Sequence, residues 1–370
     1  MANKNLNAAK IAKKDEFYTQ LPDIERELQH YWQHFRDKVV LCNCDDPYES
    51  NFFKYFALRF NQLGLKKLIC TCYNGSPVQG DELMIDFGDF SEDPKKVAYK
   101  VEITEVKDIN GDGAVDLSDV QYLLKNDKNV LSLLKTGDFR DPECIDLLKQ
   151  ADIIVTNPPF SLFREYVAQL IEFEKKFIIM GRMSALHYSE IFPLFMQNKI
   201  WCGFGFNISV VYKAPYENTL EANRKFVLAK GLNPDDNYIK VPAICWYTNL
   251  DISKRHEELD LVCRYSEDEY PKYYNYDAID VGELSSIPCD YEGNMGVPDT
   301  ILGCYNPQQF ELVGLGRDGG NIKVDRGVYN IIKKLNPNSR PSHIGYYDKK
   351  GMPKEPYSRI IIRNKHPRKL

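Results

Sequence analysis

The stretch Asp152-Ile-Ile-Val-Thr-Asn-Pro-Pro-Phe160 joins a run of apolar and β-branched residues to a stiff polar turn. The run at 153–156 shows no alternation, which is typical of a strand buried on both faces of a parallel sheet. The two prolines cannot donate hydrogen bonds to a strand ladder, so the strand must end before them. Ligands of open α/β sheets bind beyond the carboxyl ends of the strands, and we therefore expect Asn157 and Phe160 at the rim of a ligand site.

Further strand-like and helix-like segments alternate on both sides of this stretch. Residues 39–44, 68–73 and 176–180 are predicted strands, and amphipathic segments lie between them. A strand, helix, strand order implies a parallel pair with a right-handed crossover. The alternation predicts an α/β fold with a doubly wound, mostly parallel sheet.

The turn after the first predicted strand is unusual for a cofactor site. Nucleotide-like cofactors commonly bind there over a glycine-rich turn, but this turn contains Asp45 and Asp46 and no glycine. Either Asn43 and the two aspartates supply the hydrogen bonds that a cofactor needs, or the chain binds none.

Composition narrows the class of protein. With 370 residues, 43% of them apolar, the chain is long enough for one large domain and a second region. No apolar run approaches the length of a membrane span, and residues 1–14 contain lysines without the apolar segment of a signal peptide. We expect a cytoplasmic protein with no membrane partner. The ten cysteines lack zinc-binding spacings and are best explained as small buried residues.

The net charge of −5 conceals two segments of opposite sign. Residues 317–370 contain fourteen Lys and Arg against four Asp and Glu, whereas residues 81–119 contain twelve acidic residues against four basic ones. A basic C-terminal region can hold a phosphate backbone, and an acidic segment cannot. Solvated faces without a ligand are the alternative for both segments.

The acidic segment contains a pattern typical of a calcium-binding loop. Oxygen-bearing side chains stand at positions one, three, five, nine and twelve, with glycine at position six, as in an EF-hand or dockerin loop. The predicted ligands are Asp108, Asn110, Asp112, Asp116 and Asp119. Aspartate at position twelve is shorter than the usual glutamate, and a ligand-free acidic turn is the alternative. In either case we interpret the loop as part of an insertion that takes no part in catalysis.

Four sequence blocks form a distinctive set. They are Phe-Tyr-Thr-Gln at 17–20, Cys-Asn-Cys-Asp-Asp-Pro at 42–47, Gly-Asp-Phe-Arg at 137–140 and Thr-Asn-Pro-Pro-Phe-Ser-Leu-Phe-Arg at 156–164. Together they resemble the EcoRI modification methylase family of adenine-specific DNA methyltransferases. The similarity continues in Gly-Val-Pro-Asp at 296–299 and Tyr-Asn-Pro-Gln-Gln-Phe at 305–310, so it covers nearly the whole chain.

The resemblance implies a Rossmann-like methyltransferase that uses S-adenosylmethionine and transfers a methyl group to adenine N6 in double-stranded DNA. The carbonyls of Asn157 and Pro158 would accept hydrogens from the adenine amino group, Pro159 would fix the direction of the second carbonyl, and Phe160 would stack on the flipped base. A cognate restriction endonuclease is the partner that the family suggests, or the enzyme acts alone.

The resemblance also assigns the cofactor site. Its residues would be Phe17, Tyr18, Thr19, Asn43, Asp45, Asp138 and Phe139. Tyr73 joins them as a cofactor candidate by its position at the end of the second predicted strand, where an acidic residue would usually hold the ribose hydroxyls. For Asp138, which would accept a hydrogen bond from the cofactor's adenine, the alternative is an N-terminal helix cap before Pro142.

The sequence also predicts the domains of the chain and a surface that contacts DNA. We expect a basic arm at 1–14, a methyltransferase domain at 15–200 with an acidic insertion at 81–136, and the rest of the sheet with a target-recognition region at 201–370. The DNA-phosphate candidates are Lys323, Arg326, Lys333, Lys334 and Arg340. Two other functions stay open at this point: an RNA or protein-glutamine methyltransferase, and a non-catalytic DNA-binding protein on a methylase scaffold.

Overall fold

Apolar runs of the sequence form the strands of two compact units. The structure, a computed structural model, describes residues 18–44, 46–47, 50–73, 98–109, 111, 115–126, 130–213, 221–340 and 342–369. The first unit comprises the described residues up to Met183 together with Gly203–Leu250, and the second comprises Ser184–Cys202 and the described residues from Asp251 onward.

The strands, in chain order, are β1 (Tyr18–Thr19), β2 (Val39–Asn43), β3 (Lys67–Cys72), β4 (Tyr99–Ile103), β5 (Leu131–Leu133), β6 (Ile153–Thr156), β7 (Lys176–Arg182), β8 (Trp201–Cys202), β9 (Ile208–Lys213), β10 (Tyr238–Thr248), β11 (Ile279–Asp280), β12 (Asn294–Pro298), β13 (Phe310–Leu315), β14 (Tyr346–Tyr347), β15 (Pro353–Lys354) and β16 (Arg359–Asn364). The α-helices are α1 (Leu21–Leu28), α2 (Asn51–Leu58), α3 (Phe60–Leu63), α4 (Leu117–Asn126), α5 (Pro142–Gln150), α6 (Phe163–Glu172), α7 (Phe192–Met196), α8 (Glu221–Ala229) and α9 (Tyr329–Leu335).

The sheet of the first unit has a parallel centre. Its strands lie in the order β1-β9-β10-β7-β6-β2-β3-β4-β5. The four central strands β7, β6, β2 and β3 pair in parallel, and the strands added on either side pair antiparallel. Every residue of β2 and β6 is buried, as expected for strands covered on both faces. The predicted α/β fold is confirmed, and the antiparallel flanks were not predicted.

The order of the parallel strands reverses between β2 and β6. From β2 the chain moves outward to β3, and it later returns to β6 on the other side of β2 and moves outward to β7. In open α/β sheets the crevice at such a reversal, beyond the carboxyl ends of the strands, is where ligands bind. The turns that follow Asn43 and Thr156 therefore lie at the expected position for a ligand.

Local sequence signals fix the helices that flank this crevice. Ser50 is the N-cap of α2, and its hydroxyl oxygen accepts hydrogen bonds from the backbone nitrogens of Phe52 and Phe53. Proline stands in the first turn of α5, where a missing N–H is tolerated. In α6 the buried face includes Phe163 and Tyr166. Helix α1 is followed directly by a 3-10 helix at Gln29–His34.

The rest of the first sheet lies within residues 201–370, where it was expected. Strands β9 and β10 extend the first sheet, so Gly203–Leu250 belongs with the first unit, whereas the preceding segment Ser184–Cys202 belongs with the second. The chain therefore passes from the first unit to the second and back again, and this exchange of segments was not predicted. Part of the acidic segment also joins the first sheet, because β4 and β5 form its edge.

The second unit has its own sheet and core. Its strands lie in the order β11-β12-β16-β13, and the three central isoleucines of β16 are completely buried. Below this sheet a buried ion pair joins Arg359 to Asp280, whose carboxylate also accepts a hydrogen bond of 2.6 Å from the hydroxyl of Tyr273. A small hairpin is formed by β14 and β15.

Candidate active site

The ends of β2 and β6 are joined directly. The hydroxyl of Thr156 donates a hydrogen bond of 2.6 Å to the backbone carbonyl of Asn43. At the opposite ends of the same strands, the carboxylate of Asp152 accepts a hydrogen bond of 2.8 Å from the backbone nitrogen of Val39. These contacts hold the two strands in register, so the turn after Asn43 and the turn that begins at Asn157 stand side by side.

The Asn-Pro-Pro-Phe turn is fixed between a strand and a helix. Asn157 and both prolines are buried, while Phe160 is half-buried and begins a 3-10 helix that runs into α6. The carbonyl of Pro159 accepts a hydrogen bond of 3.0 Å from the backbone nitrogen of Leu162. The guanidinium carbon of Arg182 lies 5.6 Å from the centre of the Phe160 ring, a cation–π distance. The sequence did not predict the contact with Arg182.

A buried tyrosine connects this turn to β1. The Tyr212 side chain is fully buried, its hydroxyl lies 4.0 Å from the sulfur of Met180, and Thr19 and Asn157 are among the side chains that influence its pKa. Burial raises the pKa of Tyr212 above its ordinary value, so the phenol stays neutral at physiological pH. The hydroxyl of Thr19 also lies 3.3 Å from the sulfur of Met180. Thr19 and Asn157, which were predicted for opposite halves of the site, thus both lie near a residue that was not predicted.

The glycine-free turn after β2 adopts a backbone conformation that glycine usually supplies. Cys44 has a φ of 91°, a region that residues with a side chain seldom occupy. The carboxylate of Asp46 accepts a hydrogen bond of 2.6 Å from the hydroxyl of Tyr99, and burial first, then Asp46, raises the pKa of that tyrosine. Asp46 therefore anchors the turn to β4. Asp45 lies outside the described residues.

The Gly-Asp-Phe-Arg loop lies against the end of β3. Gly137 has a φ of 71°, and a Cβ at this position would overlap the backbone carbonyl oxygen of Cys72 and come within 3.0 Å of the Cα of Tyr73. Only glycine fits there, because both the backbone conformation and the close approach exclude a side chain. The loop consequently brings Asp138 beside the residue that follows β3, as the cofactor assignment requires.

Asp138 is held by an arginine of the same loop. Nε and Nη2 of Arg140 lie 2.9 and 2.7 Å from the two carboxylate oxygens of Asp138. The Arg140 guanidinium holds the pKa of this carboxyl below its usual range. The N-cap of α5 is Asp141, so the alternative role of Asp138 as the helix cap is wrong. The backbone nitrogen of Arg140 donates a third hydrogen bond of 2.9 Å to Asp138. A carboxylate has about four lone-pair sites, so Asp138 keeps capacity for one further bond to a ligand.

Tyr166 of α6 joins three parts of the site. Its hydroxyl donates a hydrogen bond to the side-chain oxygen of Asn43. Its ring centre lies 5.1 Å from that of Phe139, with the two planes at 77°, an edge-to-face contact. The backbone carbonyl of Phe139 also accepts a hydrogen bond of 3.0 Å from the side chain of Gln169. The helix that continues from the Asn-Pro-Pro-Phe turn therefore positions both Asn43 and Phe139.

The remaining predicted cofactor residues are only partly described. Phe17 lies outside the described residues, and so does the side chain of Tyr18. Tyr73 is half-buried directly after β3. In the described part of the site, Tyr212 relates Thr19 to the Asn-Pro-Pro-Phe turn. Tyr166, on the helix that continues from this turn, contacts Asn43 and Phe139, and Asp138 precedes Phe139 in the chain. Both tyrosines look like core residues in the sequence, and the only signal available was a hydroxyl on an otherwise apolar face.

The predicted calcium loop is closed by its own hydrogen bonds. The carboxylate of Asp119 accepts hydrogen bonds from the backbone nitrogens of Ile109 and Asp116, at 2.8 and 2.9 Å. The carboxylate of Asp108 accepts one of 2.7 Å from Gly111. The other two predicted ligands, Asn110 and Asp112, lie outside the described residues. Among the residues that are described, no group of three or more His, Cys, Asp or Glu is arranged to hold a metal ion.

All five predicted DNA-phosphate candidates are exposed on the second unit. Arg326 forms an ion pair of 2.6 Å with Asp318, and Arg340 forms one of 3.4 Å with Glu355. The Lys333 ammonium donates a hydrogen bond of 3.3 Å to the backbone carbonyl of Ser339. The other two candidates are Lys323 and Lys334.

Within the described part of the chain, no helix is both long and apolar enough to cross a membrane.

Comparisons with known proteins were made for the whole chain. A family model described as "Adenine-specific methyltransferase EcoRI" matches residues 5–365. The chain is 44% identical over 371 residues to the Type II methyltransferase M.EcoRI of Escherichia coli, an alignment that covers 99% of this chain and 98% of that protein. It is 38% identical over 313 residues to M.MpnI of Mycoplasma pneumoniae, covering 83% of this chain and 84% of that protein. It is 37% identical over 313 residues to M.MgeORF184P of Mycoplasma genitalium, covering 84% and 85%. No solved structure matches.

Proposed function

The chain belongs to the EcoRI family of adenine-specific methyltransferases, and we propose that it methylates adenine N6 of DNA in the crevice beyond β2 and β6. The observation that carries this proposal is the hydrogen bond from Thr156 to the carbonyl of Asn43. It sets the Asn-Pro-Pro-Phe turn beside the cofactor turn at the reversal point of the sheet, where α/β enzymes hold their ligands. The family match removes the RNA and protein-glutamine alternatives.

Two features of the chain suit it to S-adenosylmethionine, the methyl donor that the family implies. Cys44 adopts the positive φ of a glycine turn, and Gly137 allows the Asp138 loop to approach the backbone of β3. Asn43, Asp138 and Phe139 would hold the donor, with Thr19, Tyr73 and the adjacent residues Phe17, Tyr18 and Asp45. When bound, S-adenosylmethionine supplies an electrophilic methyl group on a sulfonium. The hypothesis of a non-catalytic scaffold was motivated by the lack of glycine in this turn. Because Cys44 adopts the backbone conformation of a glycine, the lack of glycine no longer argues against a cofactor site.

Asn157 and Pro158 would activate the acceptor. Adenine N6 is a poor nucleophile because its lone pair is delocalised into the ring. Two carbonyl oxygens that accept the amino hydrogens favour the form in which the lone pair is localised on nitrogen, and a rigid turn holds them without reorganisation. Pro159 restricts the backbone of Pro158 to extended conformations and so fixes the direction of its carbonyl. The buried Tyr212 hydroxyl would hold the Asn157 amide in one orientation.

Phe160 would supply the face on which the flipped adenine stacks. A base inside a duplex cannot reach this crevice, so it must leave the helix and exchange base stacking for stacking on protein. Phe160 is half-buried, which leaves part of the ring accessible. The Arg182 guanidinium packs against the ring and restricts its rotation.

Replacement of Asn157 tests this assignment. With the Asn157→Ala variant we expect methyl transfer to duplex DNA to fall at least about 100-fold, as is typical when one preorganised polar group is lost. Binding of S-adenosylmethionine and of duplex DNA, measured separately by calorimetry and by fluorescence anisotropy, should stay within about threefold. Asn249→Ala is the matched control, because this amide only joins backbone atoms of Phe177 and Lys175. Near-normal turnover by Asn157→Ala would contradict the role.

The DNA surface of the second unit is proposed to include Lys323, Arg326, Lys333, Lys334 and Arg340. Their exposure and the local excess of positive charge support contact with the phosphate backbone. Removal of one phosphate contact should weaken DNA binding equally for all sequences. It should also reduce the slope of log affinity against log salt concentration by about one. A restriction endonuclease that cuts the same sequence when it is unmethylated is the proposed partner, since the relatives are named Type II methyltransferases.

Calcium binding by Asp108, Asn110, Asp112, Asp116 and Asp119 stays a prediction. The Asp119 and Asp108 carboxylates already accept backbone hydrogen bonds that close the loop, and these bonds are compatible with additional ligation because carboxylates have further lone pairs. Calorimetric titration of calcium into the wild type and the Asp108→Ala, Asp112→Ala double variant tests it. A heat of calcium binding in the wild type but not in the double variant supports the site. If neither protein shows a heat of binding, the prediction is wrong.

A further inference from the structure

Helix α9 is attached to the second unit by little of its surface. Ile332 is 1% exposed, whereas Ile331 and Leu335 are 60% and 47% exposed. Exposed isoleucine and leucine on one short helix are not accounted for by packing within the unit. Neither side chain is part of the apolar core of the second unit, so packing does not explain why apolar residues stand at these two positions.

Four of the five exposed residues of α9 share one side of the helix, and the fifth, Lys333, lies about 60° outside it. At about 100° per residue, Asn330, Lys334, Ile331 and Leu335 fall within an arc of about 140°. All four are exposed, and we call this set the outer face of α9. Lys334 makes no hydrogen bond or ion pair with the residues that the structure describes. Polar and apolar groups therefore stand next to each other on the outer face without partners in the fold.

The surroundings of the outer face are basic. Between Lys323 and Arg340 the chain has five Lys and Arg against the single acidic residue Asp325. A second copy of this chain would bring the same lysines face to face in a two-fold interface, because such interfaces pair identical patches. Phosphates of a duplex would be attracted instead. The charge thus favours DNA over self-association as the occupant.

We propose that the outer face of α9 contacts base edges in the major groove and contributes to recognition of the target sequence. This inference rests on the proposed DNA-binding role of the second unit. An α-helix with its side chains is about 10–12 Å wide, and the major groove is about 12 Å wide. Seven helical residues span about 10 Å, so α9 would read roughly three base pairs at about 3.4 Å each.

The side chains of the outer face have the chemistry that base reading requires. Asparagine forms a bidentate pair with adenine, lysine donates to the acceptors of guanine, and an apolar side chain contacts the thymine methyl group. Asn330 and Ile331 would therefore discriminate between bases, while Lys334 would contact either guanine or a phosphate. Phosphate contacts position the protein, and base contacts specify the sequence.

The test is a comparison of sequence discrimination. The target of the wild type is first mapped by sequencing of methylated DNA, and kcat/KM is then measured on duplexes with each single base-pair substitution. For Asn330→Ala and Ile331→Ser we expect discrimination at one base pair to fall roughly 10-fold to 100-fold. Discrimination at positions outside the three contacted base pairs should be unchanged. Both residues are exposed, so the variants should melt within a few degrees of the wild type.

Val262→Ser is the matched control, because Val262 is 70% exposed on the same unit but lies beside acidic residues. It should discriminate like the wild type. If Lys334→Ala reduces the salt dependence of binding while Asn330→Ala and Ile331→Ser leave discrimination intact, the base-reading role is overturned and the phosphate role stands. If none of the basic variants changes DNA affinity, the DNA surface itself is wrong. A change of oligomeric state with unchanged discrimination would assign the outer face to a second copy and overturn the proposal.

Discussion

At the scale of single residues, hydroxyl groups on buried tyrosines organise the site. Tyr166 bonds to Asn43 and packs on Phe139, and the buried Tyr212 hydroxyl is influenced by Thr19 and Asn157. Each hydroxyl links a proposed cofactor residue to the Asn-Pro-Pro-Phe turn or to the helix that continues from it. The residues proposed to hold donor and acceptor are therefore connected to one another.

Tyr166→Phe isolates one of these hydroxyls. The ring contact with Phe139 is kept, but Asn43 loses the donor that fixes its side chain, and a hydrogen bond of this kind contributes about 1 kcal/mol. We expect S-adenosylmethionine affinity to fall about fivefold in calorimetry while DNA affinity is unchanged. The control is Tyr31→Phe, which removes a buried hydroxyl bonded to Glu27 in the same unit. An equal loss of cofactor affinity in both variants would show that the effect is general loosening.

Cys44 provides a second residue-scale prediction. A side chain at positive φ destabilises the backbone by about 1–2 kcal/mol, and glycine relieves this at some entropic loss. Cys44→Gly should raise the free energy of unfolding by about 1 kcal/mol and keep cofactor affinity, whereas the β-branched Cys44→Val should lower both. Chemical denaturation and calorimetry measure the two quantities. Equal stability of the glycine and valine variants would contradict the strained turn.

At the scale of elements, the Gly-Asp-Phe-Arg loop depends on its distance from β3. Gly137 allows the loop to approach the Cys72 carbonyl, and the approach brings Asp138 and Phe139 to the crevice. Strand β3 itself pairs in parallel with β2. The loop therefore reaches the position proposed for the cofactor only because one residue lacks a side chain.

Gly137→Ala tests the close approach. Its Cβ would meet backbone atoms, which cannot move as a flexible side chain can, so we expect a loss of about 2–4 kcal/mol in the free energy of unfolding and weaker cofactor binding. Gly231→Ala is the matched control, since Gly231 has a φ of 73° but no atom within 4 Å of the added Cβ. It should lose only about 1 kcal/mol. A similar loss of unfolding free energy in both variants would contradict this prediction, because it would mean that the clash at residue 137 is relieved without displacement of the loop.

At the scale of the whole molecule, patterns local in sequence were predictable and contacts between distant segments were not. The strand Ile153–Thr156 and the helix Pro142–Gln150 have the predicted bounds, because an unbroken apolar run and a proline mark them directly. The proximity of Tyr212 to Asn157 depends on β9 returning to the first sheet beside β10. The rest of the sheet was expected within residues 201–370, but no local pattern encodes which strands pair there.

The family blocks supplied candidate site residues without their connections. The candidates Thr19, Asn43, Asp138 and Asn157 were all named from the sequence, and their roles stay predictions. Two features were visible only in the structure. Arg140 is the partner of Asp138, and Cys44 adopts the positive φ that a glycine would usually supply in this turn. Asn157 remains the residue on which the proposed chemistry most depends.

The most direct test of the account is to map N6-methyladenine in the DNA of a host that expresses the chain. The account predicts methylation of one adenine within one short recurring sequence in the wild type, and none above background with Asn157→Ala produced at the same level. N6-methyladenine that persists with Asn157→Ala, or its absence with a wild-type protein that is folded and binds S-adenosylmethionine, would contradict it.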